Sequence, residues 1–232
     1  MKTEGEFFAE GWAERKLRLS FCMRYALAMR SSLPRGDQKL IQIVDAALAE
    51  AARKSGAWLA CRKGCTQCCY GPFPISQLDV ARLQKGLRDL EQSDPRRAAR
   101  VRQRARQSWA KLSPDFPGDR KTGILAEDQS AEAQFAEYAD DEPCPALDPA
   151  TGACDLYSSR PMTCRTFGPP VRSGAEGALG VCELCYHGAS DQQIANCEMV
   201  PDPGNLEEKL IQQAGRQNGE CGDTIVAFCL SR

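Results

Sequence analysis

Thirteen cysteines accompany a single histidine in this chain of 232 residues. The odd cysteine count, and a first twenty residues rich in Glu, Lys and Arg without an apolar run, favour reduced thiols in the cytoplasm over a secreted disulfide framework. Free thiols at this density are prone to oxidation, and most of these are clustered rather than scattered. Clustering therefore predicts metal coordination. The nine clustered cysteines are Cys61, Cys65, Cys68, Cys69, Cys144, Cys154, Cys164, Cys182 and Cys185.

Net charge and hydropathy bear on whether the chain binds nucleic acid or a membrane. Thirty Lys and Arg face 31 Asp and Glu, a formal net charge of −1, so the chain lacks the basic excess with which nucleic-acid-binding proteins displace counterions. Its most apolar stretches, 40–51 and 224–230, are shorter than the roughly 18 residues that a membrane span needs. Neither a nucleic acid nor a membrane is expected as a partner.

Apolar periodicity predicts helices at both ends of the chain. Within the N-terminal segment 1–60, one helix covers Leu40 to Ala51, with Asp37 as its N-cap, and ends before Gly56. An earlier helix is predicted from the spacing of Phe8, Trp12, Leu19, Cys22, Tyr25 and Met29.

Capping signals place three further elements. Ser76 opens a helix in a capping-box-like pattern, and Ser93-Asp94-Pro95 opens the next, so 76–112 is predicted to be an antiparallel helix pair. A last helix is expected from Asn205, with Glu208 three residues later, to a stop near Gly219. The stretch 224–230 fits a short strand or a last helical turn.

The middle of the chain, from Ser113 to Pro203, is rich in proline, glycine and cysteine and lacks long periodic runs. So long an irregular stretch needs something besides apolar packing to hold it. We therefore expect a single domain over 1–232, mainly α-helical with an irregular, cysteine-rich metal-binding centre. The centre would span 61–185 around the inserted helices 76–112, followed by a C-terminal helical segment, 186–232.

The densest motif is Cys61-x3-Cys65-x2-Cys68-Cys69. Thiolates two or three residues apart in a glycine-containing turn can converge on one metal centre. Adjacent side chains usually diverge, so Cys68 and Cys69 are expected to serve two centres, or different metals of one polynuclear cluster.

Three further motifs follow the first one along the chain: Cys144-Pro-x-Leu, Gly152-x-Cys154-x-x-Tyr157 and Arg160-Pro-x-x-Cys164-Arg165. Taken together in this order, the four motifs resemble the CxxCxxCC cysteine-cluster family, also called YkgJ-like. The resemblance covers 61–185 and implies a domain that chelates zinc or iron. The remaining cysteines of the second half, Cys197, Cys221 and Cys229, lie outside it, so the number of ligands stays open.

Ligand count leaves two metals open. A four-ligand zinc site could use Cys65, Cys68, Cys182 and Cys185, and the other five cysteines could form a second site with one thiol to spare. Two cubane clusters would use eight of the nine thiols. Because sulfur-only ligation with two adjacent cysteines suits a polynuclear cluster, an iron–sulfur cluster is the favoured cofactor and zinc is the alternative.

Arg62, Arg160 and Arg165 flank the cysteines and are expected to stabilise an anionic cluster. The competing interpretation is that Arg160 only shapes a turn and that Arg165 is solvated. The six arginines of 96–106 are expected on a solvated helix surface. His187 stays without an assigned role.

Three functions fit these patterns. The first is a cytoplasmic iron–sulfur protein that passes electrons to a redox partner protein or performs redox chemistry on a small substrate. The second is a zinc-stabilised binding module whose contact surface is the arginine-rich helix. The third is a protein that delivers iron or zinc without turnover. The sequence establishes neither catalysis nor the oligomeric state.

Overall fold

The computed structural model describes residues 33–62, 64–173, 178–219 and 221–232. The helix predicted from Phe8 to Met29, with Cys22, lies outside the described residues.

Helix α1 spans Asp37–Ser55 and ends at Gly56, as predicted. It buries Leu40, Val44 and Ala51. The prediction of Asp37 as N-cap is wrong by one residue, because Gly36 occupies that position with φ 109° and Asp37 is the first helical residue. The Asp37 carboxylate is used elsewhere, since it accepts a 2.7 Å hydrogen bond from Arg82 Nε.

Helices α2, Gln77–Ser93, and α3, Pro95–Leu112, begin where the capping signals place them. Ser76 Oγ accepts a hydrogen bond from the Asp79 N–H at 3.3 Å. Asp94 accepts one from the Arg97 N–H at 3.0 Å, with Pro95 as the first residue of α3. Both predicted helix starts are confirmed, and the two helices pack against each other.

Between α3 and the C-terminal helices the backbone is irregular. Its helices are short: α4 is Gln129–Ala136, α5 is Met162–Thr166 and α6 is Asp191–Asn196. Its strands form three two-stranded antiparallel sheets, which pair β1 Gly118–Asp119 with β2 Ile124–Leu125, β3 Leu147–Asp148 with β4 Ala153–Cys154, and β5 Val171–Ser173 with β6 Ala178–Gly180. The expected class, mainly α-helical with an irregular cysteine-rich centre, is confirmed.

Two helices close the chain: α7, Leu206–Asn218, and α8, Val226–Ser231. The helical alternative for 224–230 is the one observed, and α8 packs against both α2 and α3. Asn205 occupies the N-cap position of α7 but is left-handed, at φ 49°, and its side chain makes no capping hydrogen bond. Asp202 caps the helix instead, because its carboxylate accepts a 2.7 Å hydrogen bond from the Glu207 N–H.

Apolar packing divides into clusters that flank the irregular centre. One cluster joins α2, α3 and α8, and a second joins α1 with α7. In the described ranges, no helix is both long and apolar enough to cross a bilayer.

Glu207, at the start of α7, makes the stability of the folded protein depend on pH. Partial burial, together with the nearby Asp79 carboxylate, raises the pKa of Glu207 from 4.5 to about 7. The folded state therefore holds a proton that the unfolded chain has already released, so the contribution of Glu207 to stability is full below pH 4.5 and is lost as pH rises through about 7. We expect Glu207→Gln to remove this part of the pH dependence, as measured by chemical denaturation from pH 4.5 to 8.

Glu208→Gln is the matched control, because Glu208 is the neighbouring carboxylate on the same turn and is exposed. The wild-type and Glu208→Gln proteins should lose stability in parallel as pH rises, whereas Glu207→Gln should lose less. Parallel curves for all three proteins would contradict this assignment.

Candidate metal centre

The first cysteine motif folds as two consecutive turns. The Cys65 N–H donates to the Arg62 carbonyl at 2.9 Å, and the Cys69 N–H donates to the Thr66 carbonyl at 2.8 Å. The second turn is a 3-10 helix, Gln67–Cys69. Gly64, at φ 90°, has the backbone conformation that glycine adopts most readily. The chain turns twice within nine residues, so the first and the last thiols of the motif lie beside different segments of the chain.

The first neighbourhood, here called the four-cysteine group, consists of Cys61, Cys65, Cys182 and Cys185. Burial raises the pKa of the Cys61 thiol, with further contributions from Cys65, Cys185 and Cys182 as well as from Cys68. Burial also raises the pKa of Cys182, which interacts with Cys185 and Cys65. These mutual effects indicate that two segments more than a hundred residues apart bring their thiols together.

Backbone contacts fix the second segment of this group. The Cys185 N–H donates to the Cys182 carbonyl at 2.9 Å, a turn of the same kind as the one that ends at Cys65. The Tyr186 N–H then donates to the Trp58 carbonyl at 2.8 Å. Cys197 is buried in the same small cluster, which includes Tyr186.

The second neighbourhood, here called the five-cysteine group, consists of Cys68, Cys69, Cys144, Cys154 and Cys164. The Cys144 N–H donates to the Cys69 carbonyl at 2.7 Å, and the pairing of β3 with β4 positions Cys154. Burial raises the pKa of Cys144 to about 12 and also raises those of Cys154 and Cys164. All three thiols interact with Cys68, so four separate segments contribute to the group.

The neighbouring thiols of Cys68 and Cys69 interact with each other. Their thiols share a hydrogen bond, which lowers the pKa of Cys68 to about 6 and raises that of Cys69. The tight 3-10 turn keeps both side chains in the five-cysteine group. The four-ligand zinc set of Cys65, Cys68, Cys182 and Cys185 stays a prediction, since Cys68 interacts with Cys61 as well as with the five-cysteine group.

The two cysteine groups bring thiols near one another. Within the described parts of the chain, no three side chains of His, Cys, Asp or Glu have a placement that could hold one ion. Metal ligands are thiolates, whereas burial raises the pKa of most of these thiols, so metal binding is expected to release protons and to complete the arrangement of the ligands. The donor set fits zinc or an iron–sulfur cluster, because both groups offer sulfur alone and thiolates are common ligands of both.

The flanking arginines have different environments. Arg160 is buried, with its guanidinium carbon 3.9 Å from the centroid of the Tyr157 ring, and its charge favours the thiolate forms of Cys68 and Cys154. Arg165 is also buried, so the solvated interpretation is wrong. Arg62 is exposed.

Asp155, which directly follows Cys154, was not among the predicted site residues. Its side chain is 1% exposed and forms ion pairs with two arginines of α3, with Arg97 Nε and with Arg104 Nη2, the latter at 2.6 Å. Arg104 Nε also donates to the Pro145 carbonyl at 2.9 Å, next to Cys144. The helix predicted to present a solvated arginine face therefore holds two loops of the five-cysteine group. The available signal was the seven-residue spacing of Arg97 and Arg104, which places both on one face.

Two further residues without a predicted role are Cys229 and His187. Cys229 is buried in the helical core, with its Sγ 3.9 Å from the Val80 carbonyl oxygen. His187 is exposed on the segment after Cys185.

Thiol groups on irregular segments between helices define a cysteine-rich protein of the metal-chelating class. The model of the CxxCxxCC family, described as a "putative zinc- or iron-chelating domain", matches residues 60–186, more than half of the chain. The chain therefore belongs to the CxxCxxCC family, which confirms the resemblance found in the motifs. No curated protein and no solved structure shows significant similarity to it.

Proposed function

We propose that this protein binds an iron–sulfur cluster at the five-cysteine group and uses it for electron transfer or for redox chemistry on a small substrate. The observation that carries the proposal is the gathering of five thiols from four separate segments beside the buried cation Arg160. The reducing cytoplasm suits such a site, and a redox partner protein would supply or accept the electrons.

The chemistry of the group supports a polynuclear cluster. All donors are thiols, two of them adjacent, and a cluster held by such ligands supplies one-electron transfer when bound. Arg160 would offset the negative charge of the thiolates, and positive charge near a cluster raises its reduction potential. Asp155, held by Arg97 and Arg104, keeps the loop of Cys154 in place.

For the four-cysteine group we propose a structural zinc site. Two similar turns, each with a cysteine N–H bonded to the carbonyl three residues earlier, end at Cys65 and Cys185. Paired turns of this kind, which present four thiols, suit tetrahedral zinc. The bond between Tyr186 and Trp58 holds the two segments side by side, so the metal would join them into one unit.

Anaerobic purification followed by metal analysis tests both assignments. We expect visible absorption that bleaches on reduction, acid-labile sulfide in proportion to iron, and about one zinc per chain. Cys154→Ser should lose iron and sulfide but keep zinc, whereas Cys182→Ser should lose zinc but keep the visible absorption.

Colourless protein with zinc in both groups and no iron or sulfide would overturn the redox proposal. It would support a zinc-stabilised module instead. Loss of iron and zinc together in both variants would contradict the division into two groups.

A further inference from the structure

A groove of about 450 Å³ lies between α1 and the segment that carries Tyr157, Arg160 and Arg165. The α1 side is largely apolar. The opposite side carries the two arginines, beside the five-cysteine group. The lining residues that α1 contributes are Ile41, Asp45, Leu48, Ala49 and Ala52.

Both arginines are unusually buried for cations. Arg160 is 9% exposed and Arg165 5% exposed, and the Nε of each is buried without a hydrogen-bond partner among the described residues. Arg165 donates from Nη1 to Asp45 at 3.0 Å and from Nη2 to the Ser158 carbonyl at 2.5 Å. Arg160 donates from Nη1 to the Tyr157 carbonyl at 3.4 Å.

The charges lining the groove do not cancel. Among the described residues that line the groove, Asp45 is the one carboxylate, and its side chain is 50% exposed. The Tyr157 ring, which lies against the Arg160 guanidinium, holds that cation without neutralising it. Two guanidinium groups therefore face one carboxylate in the described lining, and the Nε of each has no hydrogen-bond partner there.

We propose that this groove binds a small organic carboxylate, with its anionic end at Arg160 and Arg165 and its apolar end against Ile41 and Leu48. Because Asp45 and the cysteine thiolates already lie beside these arginines, a monoanion fits better than a dianionic phosphate, and the apolar wall requires an organic group. The volume lies in the range of small-molecule sites. Because Arg160 also influences Cys68 and Cys154, the ligand would lie beside the five-cysteine group, where a small redox substrate would have to bind. Binding itself does not rest on the proposed redox function.

Equilibrium dialysis of the intact protein with radiolabelled hexanoate and benzoate tests the ligand class. Ligands of this size should bind with dissociation constants of about 1 mM. Acetate should bind more weakly because it lacks the apolar part, and the neutral hexanamide and benzamide should bind roughly tenfold more weakly or worse, because they lack the charge. Equal binding of acids and amides would overturn the proposal, as would tighter binding of inorganic phosphate.

Two variants test the location. Arg160→Gln should weaken carboxylate binding roughly tenfold or more, because a charge-assisted hydrogen bond is lost. Ala49→Trp should block the groove from the exposed side of α1 while leaving both arginines in place, so it decides the question even where Arg160→Gln fails to fold. Arg106→Gln is the control, since Arg106 is exposed on α3 and should bind hexanoate like the wild type.

A failure of the carboxylate site can be told apart from a failure of the redox proposal. Metal content is measured on every variant. In Ala49→Trp, carboxylate binding is expected to fall while metal content stays unchanged. Undiminished hexanoate binding in Ala49→Trp would overturn the site, whichever metal the protein holds.

Discussion

Replacing Cys65 by serine is expected to lower the metal content and to unfold the segments around the four-cysteine group. Structural zinc in small peptides contributes about 10 kcal/mol or more to folding, and serine does not replace a thiolate ligand. Apart from one small buried cluster around Tyr186, the segments 56–62 and 179–190 are irregular, so they depend on the metal. Metal analysis, soluble yield and limited proteolysis measure the effect.

Cys68→Ser tests the other group in the same way, and Cys229→Ala is the control. Cys229 is a buried thiol in the helical core rather than in either cysteine group, so its loss should lower stability modestly without changing metal content. Full metal loading in both Cys65→Ser and Cys68→Ser would contradict a role for these cysteines as ligands.

The helices could be predicted because their signals are local. Ser76 and the Asp94-Pro95 pair bind backbone groups within one turn, so a short stretch of sequence contains both partners of each contact. Asp37 and Asn205 show where the same rules err. Asp37 was the expected cap but pairs with a distant arginine, and Asn205 leaves the capping role to Asp202.

The grouping of the cysteines could not be predicted, because spacing within a motif does not reveal which distant segment each thiol meets. Whether Cys61 or Cys68 accompanies Cys65 depends on a 3-10 turn and on contacts across more than a hundred residues. Asp155 was missed for the same reason, since its arginine partners lie on a helix about fifty residues earlier. Long-range ion pairs leave only weak marks on local sequence.

Arg82→Leu is expected to destabilise the helical frame by about 3–5 kcal/mol, the range found when one partner of a buried ion pair is removed. Arg82 is 3% exposed and joins α1 to α2, because it donates to Asp37 at 2.7 Å and to Asp79 at 2.8 Å. Asp79 also accepts a 3.0 Å hydrogen bond from the Met162 N–H, two residues before Cys164. Leucine would leave two buried carboxylates without their cation. Chemical denaturation at neutral pH measures the loss.

The pH dependence of the loss separates charge burial from a packing defect. Burial already raises the pKa of Asp79 although Arg82 opposes the shift, so removing Arg82 should raise the pKa further. The unfolded chain would then release its proton at lower pH than the folded variant, and stability should fall as pH rises above 3.8. The difference from the wild type should therefore shrink in acid. Arg53→Leu is the control, because Arg53 pairs with Glu50 on the exposed face of α1 and should change stability little at either pH. A loss for Arg82→Leu that is equal at pH 4 and pH 7 would point to packing alone and would contradict the electrostatic account.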